Sequence, residues 1–380
     1  MSKTAEILFS LIRFEVFGGE YRGELSELRD ENTLATVCAL AAFHDMAHLV
    51  ADALGRLSVV PSDEKLANAL GREQLKAIFR AERMEGELAA LCGLFEKEKI
   101  EFLPLKGSVI RDLYPEKWMR TSCDIDILVH KEDIERASGV LCGELGYVRD
   151  GTGDHDVAFS APSGIRLELH FKLNDEGGGL EVLDRVWEHT YAKNENGYQR
   201  YMSDGMFYLY HISHMAKHME NGGCGIKPLL DLRFIAEASE ELLEKNCLKS
   251  FSDAAQKLSR VWFDSAEHDE LTSELEKYIL RAGVYGDVSN AVAVGQLKRG
   301  GRGKYILYKI FLPYDKLKYQ YPVLQKHRWL MPVCQLRRWL RLLFGGEIQR
   351  PINEMKINGE LSQDRSESVA RLFEQLGIGG

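Results

Sequence analysis

Apolar residues recur at helical spacing through the first hundred positions and at strand spacing directly afterwards. Leu34, Val37, Leu40 and Ala41 recur at helical spacing, as do Ala77, Ile78, Leu88, Leu91, Leu94 and Phe95. A period of three to four residues predicts helices there, with Thr33 and Ser62 available as caps and Pro61 as punctuation. At Ile100 the period falls to two. IEFLPLKG predicts a short strand ending in a turn, then a helix over Ser108–Leu113. DIDILVH (124–130) reads as a strand and KEDIERASGVLCGEL (131–145) as a helix closed by Gly146. YVRDG, DVAFSAP and GIRLELHFKL follow as short strands, with Gly151, Gly153, Pro162 and Gly164 as turn residues and Gly177–Gly179 closing the module. The order β-α-β-α-β-β-β over about 75 residues predicts a small mixed sheet with helices on one side, an α+β core flanked by N- and C-terminal helical regions.

After Tyr201 helical spacing returns. SDGMFYLYHISHMAKHME predicts a helix capped by Ser203 or Asp204 and ended by Asn221-Gly222-Gly223. LLDLRFIAEASEELLEK, after Pro228, predicts a second helix, and further helices fill 250–298. The expected organisation is a helical region over 1–98, a sheet core over 99–200, a helical domain over 201–297, a basic aromatic-rich helical region over 298–345 and a polar, loosely held tail over 346–380.

Composition narrows the class. Of 380 residues, 45% are hydrophobic and 28% charged, enough apolar surface to exclude disorder as the dominant state. No apolar run approaches the ~20 residues that cross a bilayer, and the N-terminal stretch lacks a small-residue cleavage site, so a cytoplasmic protein is expected. Seven scattered cysteines without a CxxC indicate neither a disulfide framework nor a zinc ribbon. Charge is uneven. Twelve Lys/Arg and one acid, Asp315, lie between Lys298 and Arg341, a net +11 against −20 for the rest of the chain.

Chemistry concentrates on the strands. Alternation puts Asp124 and Asp126 on one face of their strand and Ile125, Ile127 and Val129 on the other. Two carboxylates ~7 Å apart on a core strand are unfavourable unless a cation neutralises them, and Mg²⁺ favours such oxygen ligands. On 164–173, Arg166, Glu168, His170 and Lys172 form the polar face, so Glu168 supplies a third carboxylate if this strand lies beside 124–129. Three acids around metals suit in-line phosphoryl or nucleotidyl transfer. Lys106-Gly107-Ser108 joins a strand to a helix, where glycine lets backbone amides approach a phosphate and Ser108 adds a hydroxyl. Each element alone has a plainer reading, as the wet face of a strand or a commonplace turn.

Taken in order, LPLKGSVIRDLYPEKWMRTSCDIDILV, LELHFKL and HISHMAKH resemble the uncharacterised bacterial nucleotidyltransferases of the superfamily that includes DNA polymerase β. The resemblance covers about 95–235. It implies that Asp124, Asp126 and Glu168 are catalytic and bind Mg²⁺ or Mn²⁺. It implies further that Gly107 and Ser108 hold an NTP, ATP first among them, and that Lys106 and Arg120 contact its phosphates. Ser108 precedes Asp124 by 16 residues, more than is common in the wider superfamily, which ranks Gly107 above Ser108. The implied reaction moves a nucleoside monophosphate to an acceptor, a small molecule, a protein or an RNA, and releases pyrophosphate. The alternatives are a degenerate nucleotide-binding or scaffold protein of the same fold and a metal-dependent phosphohydrolase.

His211, His214 and His218 share one helical face, at i, i+3 and i+7. That pattern suits a metal site, or a polar face packed toward the sheet with Asp231 partnering one histidine. A third reading has the helix cover the cleft, with Lys217 or His218 reaching a phosphate. The basic stretch interleaves its charges with Tyr305, Tyr308, Tyr314, Tyr319, Tyr321, Trp329 and Trp339. It suits nucleic acid, a membrane surface, or helices that neutralise the acidic body.

Overall fold

A computed structural model of the chain describes residues 1–174, 180–345 and 349–379. The Gly177–Gly179 closure and the 346 boundary expected above lie outside the described residues. Two compact units form, Met1–His214 with Ile226–Glu276, and Met215–Gly225 with Lys277–Gly380.

In the first unit, strands Phe102–Pro104 (β1), Asp124–Val129 (β2), Val148–Thr152 (β3), Asp156–Ser160 (β4) and Arg166–His170 (β5) build one sheet in the order β1-β2-β5-β4-β3. β5 runs parallel to β2, and the other neighbours are antiparallel. The sheet is therefore mixed and the fold α+β. A parallel neighbour needs a crossover, here the helix Ile134–Glu144 followed by β3 and β4.

Alternation divides the sheet into two faces. Ile125, Ile127, Val129, Val157, Phe159, Leu167 and Leu169 are buried against Met84, Leu91, Leu94 and Phe95 of the helix Glu64–Lys97 and Ala137 and Leu141 of Ile134–Glu144. Burying each large aliphatic side chain contributes about 1.5–3 kcal/mol, and a slip of one residue would expose the whole set. This packing fixes the register that places the opposite, polar face.

The 34-residue helix Glu64–Lys97 carries buried Leu70, Ala77, Met84 and Leu91 seven residues apart, a straight apolar stripe along its length. Its cap is Asp63, which accepts the Lys65 amide at 2.8 Å, rather than the expected Ser62, whose amide donates instead to Glu31. Likewise Asp30, not Thr33, caps Glu31–Phe43, accepting the Thr33 amide. Helices Lys3–Phe17, Ala47–Arg56 and Lys249–Asp264 pack together, with Phe9 stacked on Trp262 at 4.4 Å.

The helix Asp204–Glu220 forms as expected. The long helix expected after Pro228 does not. Lys227–Asp231 and Glu240–Lys245 are separate turns of helix, because Phe234 packs on Tyr114 and Phe17 between them and Ser239 caps the second.

In the second unit, Val288–Arg299 packs with Arg302–Ile310, Gln349–Glu360 and Gln363–Leu376. The loosely held tail expected from 346 is instead helical over the last two segments. In Gln363–Leu376, Val369, Leu372, Phe373 and Leu376 share one buried face. Part of the basic charge is spent internally. Lys298 pairs with Glu220 and Lys309 with Glu354, Arg299 lies over the Tyr308 ring, and Arg338 donates to the Ile310 and Lys309 carbonyls. No helix among the described residues is long and apolar enough to cross a membrane.

Candidate active site

Parallel pairing sets Asp124 opposite Arg166, Asp126 opposite Glu168 and Leu128 opposite His170. The polar face of β2 thus meets the polar face of β5, and one oxygen or nitrogen each from Asp126, Glu168 and His170 converge within 4.8 Å of one another. Asp126 and His170 are buried, and Glu168 is half-buried. His170 Nε2 lies 2.8 Å from Asp126 Oδ1 and 3.8 Å from Glu168 Oε2, while Arg166 Nε lies 3.6 Å from Glu168 Oε1.

Lys106 closes the group from β1. Its ammonium lies 3.2 Å from Asp126 Oδ1. Its backbone has φ 44°, an uncommon value for a residue with a side chain, which turns the chain sharply after the strand. The next residue must be small. A Cβ on Gly107 would stand 3.1 Å from both Cβ and Oγ of Ser122, whose hydroxyl is held by Arg111. Ser108 Oγ is buried without a hydrogen-bond partner among the described residues. From the helix Asp204–Glu220, buried Tyr210 places its phenol against the Lys106 ammonium.

The electrostatics are those of a site short of positive charge. Burial, then the charges of Asp126 and Glu168, push the Asp124 carboxyl up to about 6. Burial also disfavours the Asp126 carboxylate, but Lys106 and His170 outweigh it and hold its pKa down to about 2. For Lys106, burial is outweighed by Tyr210, Asp126 and Asp124, which hold the ammonium above the ordinary lysine range. Burial pushes the Tyr210 phenol up to about 12. Three carboxylates face the Lys106 ammonium and the Arg166 guanidinium, and His170 Nδ1 is buried with no partner among the described residues. A divalent cation fits this donor set of carboxylate oxygens with one imidazole.

The structure thus brings together Lys106, Gly107, Ser108, Asp124, Asp126 and Glu168 of the residues expected from sequence. Arg120 borders the same turn, its Nη1 3.9 Å from where a Gly107 Cβ would stand, with its guanidinium already engaged. The Arg120 guanidinium makes a two-pronged pair with Asp231, Nε to Oδ1 at 2.7 Å and Nη2 to Oδ2 at 2.8 Å, and its Nη1 donates to the Thr121 carbonyl. Tyr114 donates to the same carboxylate, and His211 Nε2 meets the Pro228 carbonyl at 3.0 Å. Asp231 therefore partners an arginine first. Lys217 and His218 belong to the second unit, with Lys217 accepting Asn221 Nδ2 at its carbonyl.

Two members of the group were not singled out by sequence. His170 sits two residues after Glu168, and strand alternation already placed it on the polar face. Tyr210 carries no signal beyond membership of the histidine helix.

The model of the family described as "Uncharacterised nucleotidyltransferase" matches residues 30–260. No curated protein and no solved structure shows a match. The matched span contains the whole sheet, the Lys106-Gly107-Ser108 turn, the carboxylates and the Arg120–Asp231 pair. It covers well over half of the chain, and the protein belongs to this uncharacterised nucleotidyltransferase family.

Proposed function

We propose that the first unit is a metal-dependent nucleotidyltransferase that moves a nucleoside monophosphate from an NTP, ATP first, to an acceptor hydroxyl. The observation that supports this is the convergence of Asp126, Glu168 and His170 beside Asp124 and Lys106. Asp126, Glu168 and His170 would hold Mg²⁺ or Mn²⁺, with Asp124 completing the donor set. When bound, such ions neutralise the triphosphate and polarise the attacking and leaving oxygens.

The chain's own groups do the rest. Lys106, released from Asp126, donates to a phosphate oxygen, and the tight Gly107 turn lets the backbone approach the same group. Tyr210 keeps the Lys106 ammonium oriented. In the transfer, the acceptor O–H bond breaks and its oxygen bonds to the α-phosphorus. The bond from the α-phosphorus to the bridging oxygen breaks, and pyrophosphate leaves. The released proton passes to solvent water.

The test is thermal unfolding with each NTP, with and without Mg²⁺ or Mn²⁺, for the wild type and Asp126→Asn. A ligand at a hundred times its Kd stabilises by about 2.7 kcal/mol. Metal-dependent stabilisation that disappears in Asp126→Asn supports the reading. Stabilisation indifferent to both metal and variant rejects it.

A further inference from the structure

The first unit contains a cavity of about 530 Å³ whose lining includes Arg72, Arg80, Arg83, His48, Thr121 and Ile165. Its position is set by the strands. Thr121 precedes Asp124 by three residues, so their Cα atoms lie within about 11 Å by chain reach. Ile165 immediately precedes Arg166, whose Cα pairs with that of Asp124. The cavity therefore lies past the N-terminal ends of β2 and β5, on the side of the helix Glu64–Lys97, with the carboxylates around the strand ends on the opposite face.

One wall is a stripe of positive charge. Arg72, Lys76, Arg80 and Arg83 recur at i, i+4, i+8 and i+11 along Glu64–Lys97, within an arc of about 80°. The acids in the lining are already engaged. Asp45 is held by the Lys227 ammonium at 2.6 Å and by the Thr121 hydroxyl at 2.8 Å, and Glu73 pairs with Lys76 at 2.6 Å. Among the described residues no carboxylate pairs with Arg72, Arg80 or Arg83. Three guanidiniums thus line one cavity, with exposed Leu75 and Phe79 on the same wall. Arginine forks match the oxygens of a phosphate, and the apolar pair suits a ring or short chain attached to it.

Size and net charge choose among anions. The volume falls in the range of small-molecule sites. Outside Lys298–Arg341 the chain carries −20, which opposes a long polyanion but leaves a walled arginine cluster open to a compact one.

We propose that this cavity is the acceptor site, and that the acceptor is a small molecule carrying a phosphate monoester, anchored by Arg72, Arg80 and Arg83 with its hydroxyl directed to the carboxylates. The proposal rests on the nucleotidyl-transfer reading. It adds that one chain binds two phosphorylated substrates at separable positions.

The test uses the full chain with ribose 5-phosphate and glucose 1-phosphate as probes, each beside its parent sugar and inorganic phosphate. Binding is measured by calorimetry for the wild type, Asp126→Asn, the double variant Arg80→Gln/Arg83→Gln and its lysine counterpart. The arginines are exposed, and circular dichroism checks that each variant folds. Expected is binding of a sugar phosphate in preference to its sugar and to inorganic phosphate. It persists in Asp126→Asn, weakens about tenfold or more in the glutamine variant, and is partly restored by lysine. Mg²⁺·ATP binding shows the converse pattern.

Four results overturn the proposal. The glutamine variant binds sugar phosphates as tightly as the wild type. It loses Mg²⁺·ATP together with them, which assigns the cavity to the triphosphate. A single-stranded RNA oligonucleotide outcompetes every monoester. Neither sugar phosphate binds at millimolar concentration. Failure of the nucleotidyl-transfer reading looks different: Asp126→Asn then binds Mg²⁺·ATP like the wild type, whatever the sugar phosphates do.

Discussion

The Lys106 ammonium lies 3.2 Å from Asp126 Oδ1, inside the group of carboxylates that a divalent cation would join. A lysine in that place is an internal counter-ion for the metal-free state. Removing it, in Lys106→Met, leaves Asp126 short of positive charge. Metal alone then binds more tightly, by about tenfold, because no ammonium competes for the oxygen. The NTP binds more weakly, because the same ammonium is lost to its phosphates. Titrations of Mn²⁺ with and without ATP read both effects. A parallel loss of both affinities would show that Lys106 merely supports the fold.

On the proposed reading, His170 would set the metal preference. Imidazole suits Mn²⁺ and later transition ions better than Mg²⁺, whereas carboxylates suit Mg²⁺ well. His170→Asn is therefore expected to lower Mn²⁺ and Zn²⁺ affinity by more than it lowers Mg²⁺ affinity. Glu168→Gln weakens all three. Competition titrations among the ions check the ratio, and an unchanged ratio in His170→Asn would remove the imidazole from the ligand set.

Arg120 and Asp231 form a buried pair, with Asp231 fully enclosed and also receiving Tyr114. Breaking such a pair by deleting one partner strands the other charge. Asp231→Ala is expected to lose about 3–5 kcal/mol of unfolding free energy, seen as a fall in the denaturant midpoint. Arg120→Gln should lose stability similarly while folded protein keeps its NTP affinity. Weakened NTP binding at unchanged stability would instead return Arg120 to the phosphate role that the resemblance implies.

Gly107 is required by its neighbour rather than by its backbone angle. In Gly107→Ala the new methyl meets Ser122 at 3.1 Å, so the turn moves by a few tenths of an ångström and NTP affinity falls. The double variant Gly107→Ala/Ser122→Gly makes room and should recover most of it. Calorimetry on the two single variants and the double one gives the coupling directly. Additive losses would mean that the turn does not act through this contact.

Acid lability should trace in part to His48, at the edge of the cavity. Burial pushes its pKa down to about 4, and it reaches the Met119 carbonyl at 3.1 Å. The unfolded chain takes up this proton near 6.5 and the folded one only near 4, so stability falls as pH drops through that window. The loss approaches about 3 kcal/mol at pH 4. Glu15, pushed up to about 7 mainly by burial, contributes the opposite slope. The quantity to measure is thus the difference between wild type and His48→Gln across pH 4–7. A flat difference would mean that His48 gains its proton without unfolding.

Much of the core was legible because it is local. Period-two alternation identified the strands and placed Asp124 and Asp126 together, and the same rule put Glu168 and His170 on one face. What alternation cannot state is which strands are neighbours. Parallel pairing of β2 with β5 is decided by the crossover and the shared apolar core, and that pairing turns two separate polar faces into one group. Arg120 and Asp231 lie 111 residues apart, beyond any local pattern. The arginine stripe along Glu64–Lys97 went unread in the sequence, because nothing in a helical repeat reveals the wall opposite it. In the tail, a polar average concealed the four-residue apolar face that holds its last helix.

The two faces of β2 and β5 obey a single odd-even rule. Every even position there looks toward the carboxylates, and every odd one into the greasy layer beneath. One inserted or deleted residue in the Pro162–Gly164 turn, if taken up within β5, would exchange Glu168 and His170 for their apolar neighbours and drive charge into the interior. Chemistry and solubility are therefore inherited together along these strands, and neither can drift while the other stays.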